Sequence, residues 1–163
     1  MIFNTVLLAL VGLLNQGRAE TVVLIAPDAA ATGTPLAVVW IQGANYSSMQ
    51  YIQIAQAFQI EAAAAGYKAW VGIPDFLFST PNPKQIGGHI KSVMDKIASS
   101  GFEGENWFLA AHSLGGVMTQ DFLTSGSTSP DASLFKGQIL MSSVLLRSTR
   151  SIDEVEGSSV YDY

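Results

Sequence analysis

Residues Ala111-His112-Ser113-Leu114-Gly115-Gly116 set a hydroxyl nucleophile among small neighbours at the junction of two contrasting segments. The apolar run Trp107-Phe108-Leu109-Ala110 precedes them, and Val117-Met118-Thr119-Gln120-Asp121-Phe122-Leu123 reads as a helix after them. A serine on a sharp strand-to-helix turn sits on strained, closely packed backbone, which demands small residues two positions away on either side; Ala111 and Gly115 meet that demand. Such a turn lifts the hydroxyl above the sheet edge. It also points the free N–H groups of the helix N-terminus at the negative charge that develops during acyl transfer. Ser113 is the candidate nucleophile and the Leu114 N–H a candidate oxyanion donor. The small-x-Ser-x-Gly pattern is weak by itself and gains its specificity from the strand before, the helix after and the extra Gly116. A serine serving as an ordinary helix N-cap would use the same residue type.

A second stretch is consistent with the first. Trp40-Ile41-Gln42-Gly43-Ala44-Asn45 closes an apolar run in a glycine-containing loop, and the Ala44 N–H is the candidate for a second oxyanion donor. A plain turn capped by Asn45 or Ser47 is the alternative account. The hydroxyl also needs a base within roughly 3 Å, directly or through one water. The sequence has two histidines, His89 and His112, and neither follows Ser113. Adjacent-residue geometry directs the His112 side chain away from the hydroxyl, and His89 is expected at the surface or boundary of a helix. Asp153 is a fallback for an acid, although Asp153, Glu154 and Glu156 also read as a solvated charge run. Tyr46, Phe76, Phe78 and His112 are the candidates to line a substrate pocket. For the loop Pro74-Asp75-Phe76-Leu77-Phe78, packing beneath a neighbouring loop stands as an equal alternative.

These residues need a scaffold, and the chain patterning supplies one. Apolar or β-rich runs are expected as strands over residues 21–26, 36–41, 67–73, 107–111 and 138–144. The run over 36–41 lacks polar alternation, and the later runs follow it, which is the pattern of strands covered on both faces in a parallel sheet. Helices are expected between them. One covers residues 47–65, with Tyr51, Ile54, Ala55, Phe58 and Ala62 as its buried stripe and Gly66 as its stop. Another covers 82–100, with Asn82 as N-cap, Pro83 at the first position, Gln85 as capping partner, Gly101 at the end and Ile86, Ile90, Val93, Met94 and Ile97 buried. The third follows Ser113 and ends near Gly126, before a surface loop over 125–130. Alternating strands and helices give an α/β class with a mostly parallel open sheet and flanking helices.

Bulk properties narrow the possibilities. The 163 residues fit one domain, and 48% hydrophobic against 13% charged residues describes a chain that folds around a core. A net charge of −5 and the lack of a Lys/Arg cluster argue against nucleic acid or anionic lipid as a partner. The absence of cysteine excludes a disulfide framework, a thiolate nucleophile and a Cys-based metal site. No motif calls for a nucleotide, metal or organic cofactor. The apolar block over residues 5–14 is shorter than the roughly 20 residues of a membrane span. With Gly17 and Ala19 before Glu20 it reads as a signal peptide over 1–19, implying secretion and no stable membrane span after cleavage; a buried first element is the alternative. The tail from Arg147 to Tyr163 has no convincing periodicity.

From residue 22 to residue 145 the chain resembles the N-terminal and central part of an α/β-hydrolase of the lipase, esterase and chlorophyllase-like kind, in that family's element order. The resemblance implies a serine hydrolase of carboxylic esters acting on a small-molecule ester or lipid-like substrate. It also implies an order of nucleophile, acid and histidine along the chain. Ala111 at the first position of the turn and Gln42 where a histidine often precedes the loop glycine are departures from the pattern. The expectation is an incomplete hydrolase domain over 20–163, with C-terminal strands and helices missing and little activity by itself. A non-catalytic relative that binds a lipophilic ligand or a protein partner is the alternative. Oligomeric state is not legible.

Overall fold

The structure, a computed structural model, describes residues 22–126 and 129–146. The expected leader and Asp153 lie outside the described residues. Five strands are β1 (Val22–Ile25), β2 (Thr34–Ile41), β3 (Tyr67–Pro74), β4 (Trp107–His112) and β5 (Phe135–Met141). Three α-helices alternate with them: α1 (Ile52–Ala64), α2 (Ile86–Ser99) and α3 (Leu114–Thr124). The sheet order is β1-β3-β2-β4-β5, with β1 antiparallel to β3 and every other pair parallel. The expected α/β class and mostly parallel sheet are therefore present.

The pleat sends alternate residues of the central strands to opposite sides. Ala37, Val39 and Ile41 of β2, with Leu109 and Ala111 of β4, pack against Ile90, Val93 and Ile97 of α2 and Phe122 of α3. Leu36, Val38 and Trp40 of β2, with Val71 and Ile73 of β3, pack against Tyr51, Ala55 and Ala62 of the first helical segment. Both faces of β2 and β3 are covered, which explains the absence of polar alternation in the runs. Past α1 the second face opens into a groove of about 440 Å³ lined by Leu36, Val38, Phe58, Phe108 and Ile139. Among the described residues, no helix is long and apolar enough to cross a membrane.

Several expectations need correction. The first helical segment is split into a 3-10 turn, Ser48–Tyr51, and α1. The turn advances three residues per revolution, which shifts the phase of the stripe and leaves Ile54 43% exposed. Asn82 accepts from the Lys84 N–H in a preceding turn, and α2 proper begins at Ile86. His89, expected at a boundary, is buried and stacked on Phe76 at a centroid distance of 4.3 Å. Its place three residues after Ile86 puts it on the stripe itself. The last strand starts at Phe135, ends at Met141 and is only half-buried along its length, because β4 is its sole described neighbour. Ser142, at φ 48, turns the chain out of the sheet before Val144.

Candidate active site

Helix α1 leads from β2 to β3 over one face of the sheet, while α2 leads from β3 to β4 over the other. The chain reverses its direction of winding between β2 and β4, so their C-terminal ends open a crevice where open α/β sheets bind ligands. The β2 end carries Gln42 and Gly43; the β4 end carries His112 and Ser113.

Ser113 has φ 50 and ψ −121, a conformation that a non-glycine residue holds only under strain from its surroundings. Its N–H donates to the Met141 carbonyl at 3.0 Å, and its own carbonyl accepts from the Gly116 N–H at 3.0 Å and the Ser143 hydroxyl at 2.9 Å. The turn is thereby held from β5, from α3 and from the segment after β5. Close packing explains the flanking glycines. A Cβ on Gly115 would lie 2.5 Å from the Gln42 carbonyl oxygen and 2.7 Å from that of Ile41; a Cβ on Gly116 would collide with the Ser143 hydroxyl. A Cβ on Gly43 would come within 2.8 Å of His112 Nδ1 and 3.2 Å of Ser113 Cβ, so the two loops are in direct apposition.

Hydrogen bonding sorts the N–H groups of the β2 loop. The Gly43 N–H donates to the Tyr51 hydroxyl at 2.8 Å, and the Asn45 N–H donates to Thr80 Oγ1 at 3.3 Å. Between them, the Ala44 N–H has no partner among the described residues. The Leu114 N–H opens α3 directly after Ser113 and carries the positive end of that helix. The Ser113 hydroxyl itself bonds to no group among the described residues.

Beside the turn, Tyr46, Gln50, Tyr51, Ile54, His112, Met141 and Ser142 line an open cavity of about 460 Å³. Tyr46 stands edge-on to His112 at 5.4 Å and to Tyr51 at 6.2 Å. The Tyr51 hydroxyl lies 2.8 Å from His112 Nδ1, and burial pushes the Tyr51 phenol above its ordinary value against a smaller lowering by the Gly43 N–H. No group of His, Asp and Glu suited to a metal ion occurs among the described residues.

Several of the solved structures that this architecture matches are named as hydrolases. An S-formylglutathione hydrolase (FrmB) from Staphylococcus aureus superposes with a TM-score of 0.54 at 20% identity, over 79% of this chain and 54% of that one. The fluorophosphonate-binding serine hydrolase F of the same organism gives 0.54 at 17% identity, over 88% and 56%. A phospholipase/carboxylesterase from Dyadobacter fermentans gives 0.50 at 12% identity, over 82% and 66%. The chain has the α/β-hydrolase fold. It spans between about half and two thirds of the length of these structures. The sequence matches no protein-family model and no curated protein.

Within the α/β-hydrolase frame, the structure brings together Ser113, Leu114, Ala44, His112 and Tyr46 at one sheet edge. It separates the other two pocket candidates. Phe76 is buried in the core against His89, whereas Phe78, at φ 55, is 85% exposed and does not line the cavity. Three residues at the site carry roles that sequence reasoning missed. In the sequence Tyr51 is part of an apolar stripe, yet its hydroxyl joins the β2 loop to His112. Ser143 reaches the Ser113 carbonyl, and Gln120 bridges the Gly116 and Val144 carbonyls while accepting from the Leu146 N–H. The tyrosine's position eight residues after Gly43 is the sequence signal for the first of the three.

Proposed function

We propose that the chain carries the nucleophile and oxyanion site of a hydrolase of carboxylic esters. The observation that carries this reading is the strained Ser113 held against Gly43 at the crevice between β2 and β4. In the proposed step the Ser113 Oγ attacks the ester carbonyl carbon and the carbonyl electron pair moves to oxygen, to which the Ala44 and Leu114 N–H groups donate hydrogen bonds. Collapse of that intermediate breaks the bond to the leaving oxygen, which takes up through solvent water the proton that the Ser113 hydroxyl lost, and the departing alcohol leaves an acyl ester on Ser113 that water then hydrolyses to the acid. The cavity walled by Tyr46, Ile54, His112 and Met141 takes one arm of a small-molecule or lipid-like ester.

The described residues place no general base on the Ser113 hydroxyl. His112 Nδ1 is engaged by Tyr51, and His89 stacks on Phe76. Acylation by these residues alone is therefore slow, resting on oxyanion binding and positioning, which in serine hydrolases stripped of triad members retain about 10³–10⁴-fold over water. Incubation with a p-nitrophenyl ester should give at most one acyl group per chain, on Ser113, and added imidazole should accelerate its formation. Acylation spread over several residues, or unchanged in Ser113→Ala, would defeat the reading.

The same lack of a base on Ser113 favours a second reading, a non-catalytic protein that holds a lipophilic ligand in the cavity. It predicts ligand binding unaffected by Ser113→Ala and no acylation with or without imidazole.

A further inference from the structure

The Tyr51 hydroxyl has one proton and two lone pairs to place. One lone pair accepts the Gly43 N–H at 2.8 Å, so the Tyr51 O–H remains to be donated, and His112 Nδ1 lies 2.8 Å away. Were Nδ1 to carry the imidazole proton instead, it would donate to the second lone pair and the O–H would lack an acceptor. Tyr51 is only 6% exposed, so that arrangement would leave a polar hydrogen unsatisfied away from water. The favourable chain runs from Gly43 N–H to Tyr51 oxygen and from Tyr51 O–H to His112 Nδ1, which puts the neutral imidazole proton on Nε2. Burial raises the phenol's pKa, which keeps it protonated and able to donate.

This chain has a consequence for the oxyanion site. Gly43 packs against the Ser113 turn but its N–H is spent on Tyr51, and the Asn45 N–H is spent on Thr80. We propose that Tyr51 is a positioning residue: by holding Gly43 and His112 together it makes Ala44 the residue of the β2 loop whose N–H faces the reacting oxygen. The inference rests on Ser113 as nucleophile for its functional part, and on the hydrogen bonds alone for its structural part. Its ring lines the cavity, but in this role the hydroxyl acts on Gly43 and His112 and not on the reacting atoms. Its effect passes through the loop, whose peptide planes are fixed relative to the Ser113 turn.

Two measurements on the unmodified 163-residue chain address the hydrogen-bonded chain directly. Nitrogen NMR of the His112 ring at neutral imidazole should show an unprotonated Nδ1 and a protonated Nε2. Hydrogen exchange should show the Gly43 amide protected and the Ala44 amide open. Tyr51→Phe keeps the ring and removes the hydroxyl. It should accelerate Gly43 exchange by about tenfold, in line with a lost hydrogen bond of ordinary net strength, and shift His112 toward the other tautomer. Phosphonylation of Ser113 by a fluorophosphonate should also slow by about tenfold in its saturating rate, a smaller loss than outright removal of an oxyanion donor. The probe concentration for half-saturation should hold steady, a split that general loosening of the fold would not produce.

A protonated Nδ1 in the unmodified chain would overturn the proposal, as would Gly43 exchange and a saturating rate that ignore Tyr51→Phe. If Ser113 fails to react in any form, the nucleophile reading falls, while the His112 and Gly43 signals still decide the role of Tyr51.

Discussion

Gly115→Ala tests the packing that puts Ser113 in place, and its effect can be worked from contacts. The added methyl would lie 2.5 Å from the Gln42 carbonyl oxygen, about 0.9 Å short of the 3.4 Å at which ordinary contact begins. It would also lie 2.7 Å from the Ile41 carbonyl oxygen. Both obstacles are backbone at the end of β2, a strand hydrogen-bonded on both sides, so relief must come from lifting the first turn of α3. That turn is tied down in turn by Ser143 and Gln120. Overpacking of this kind costs about 1–3 kcal/mol, and the better helix propensity of alanine returns up to about 1 kcal/mol. The net expectation is a loss of about 1–2 kcal/mol, or roughly 3–6 °C in Tm for a domain of this size. Gly88→Ala makes the same chemical change in α2, where a Cβ meets nothing within 4 Å. It should raise stability by about 0.5–1 kcal/mol. Paired thermal and urea unfolding curves read the opposite signs. Equal or greater stabilisation by Gly115→Ala would refute the close approach of α3 to β2 and, with it, the apposition of Ser113 and Gly43.

Further outcomes follow from the same geometry. Ser113→Gly should stabilise the fold by about 1 kcal/mol relative to Ser113→Ala in urea unfolding, because glycine accepts φ 50 and ψ −121 without the strain that any Cβ brings. Gln120→Met should cost about 1–3 kcal/mol and raise amide exchange at Leu146, since it removes the acceptor of that N–H and the donor to Gly116 and Val144. Ultraviolet titration of the five tyrosines should contain one phenol that ionises above the ordinary value of 10.0 and disappears in Tyr51→Phe. The unfolded chain gives up that proton first, so the folded state binds more protons above pH 10 and stability falls as pH rises there; Tyr51→Phe should flatten that fall.

The sequence made the layered architecture legible because burial on two faces leaves a direct mark, an apolar run without alternation, in β2, β3 and β4. The helix stops were equally readable: Gly66 and Gly101 take φ 84 and φ 94 where a side chain would be strained. Strand order was not readable, since nothing local in the Val22–Ile25 run says that it pairs antiparallel with β3. Phase was lost wherever geometry changed within an element, as at the 3-10 turn that displaced Ile54. In the loop after β3, left-handed backbone at Phe78 and Ser79 sends Phe76 into the core and Phe78 to the surface, a division that residue type cannot encode. At the site, the Ser113 turn announced itself through its glycines because sterics dictate them. Tyr51 did not, because an aromatic residue on a buried stripe is explained by packing before its hydroxyl is considered.

Whether Ser113 is the reactive hydroxyl of this fold is decided by the site of phosphonylation. The folded 163-residue chain is treated with a fluorophosphonate for several hours and examined by intact mass and peptide sequencing. A single slow adduct should form on Ser113 and be absent from Ser113→Ala. An adduct on any other residue, or none on Ser113 while the unfolding transition shows the fold intact, would contradict it.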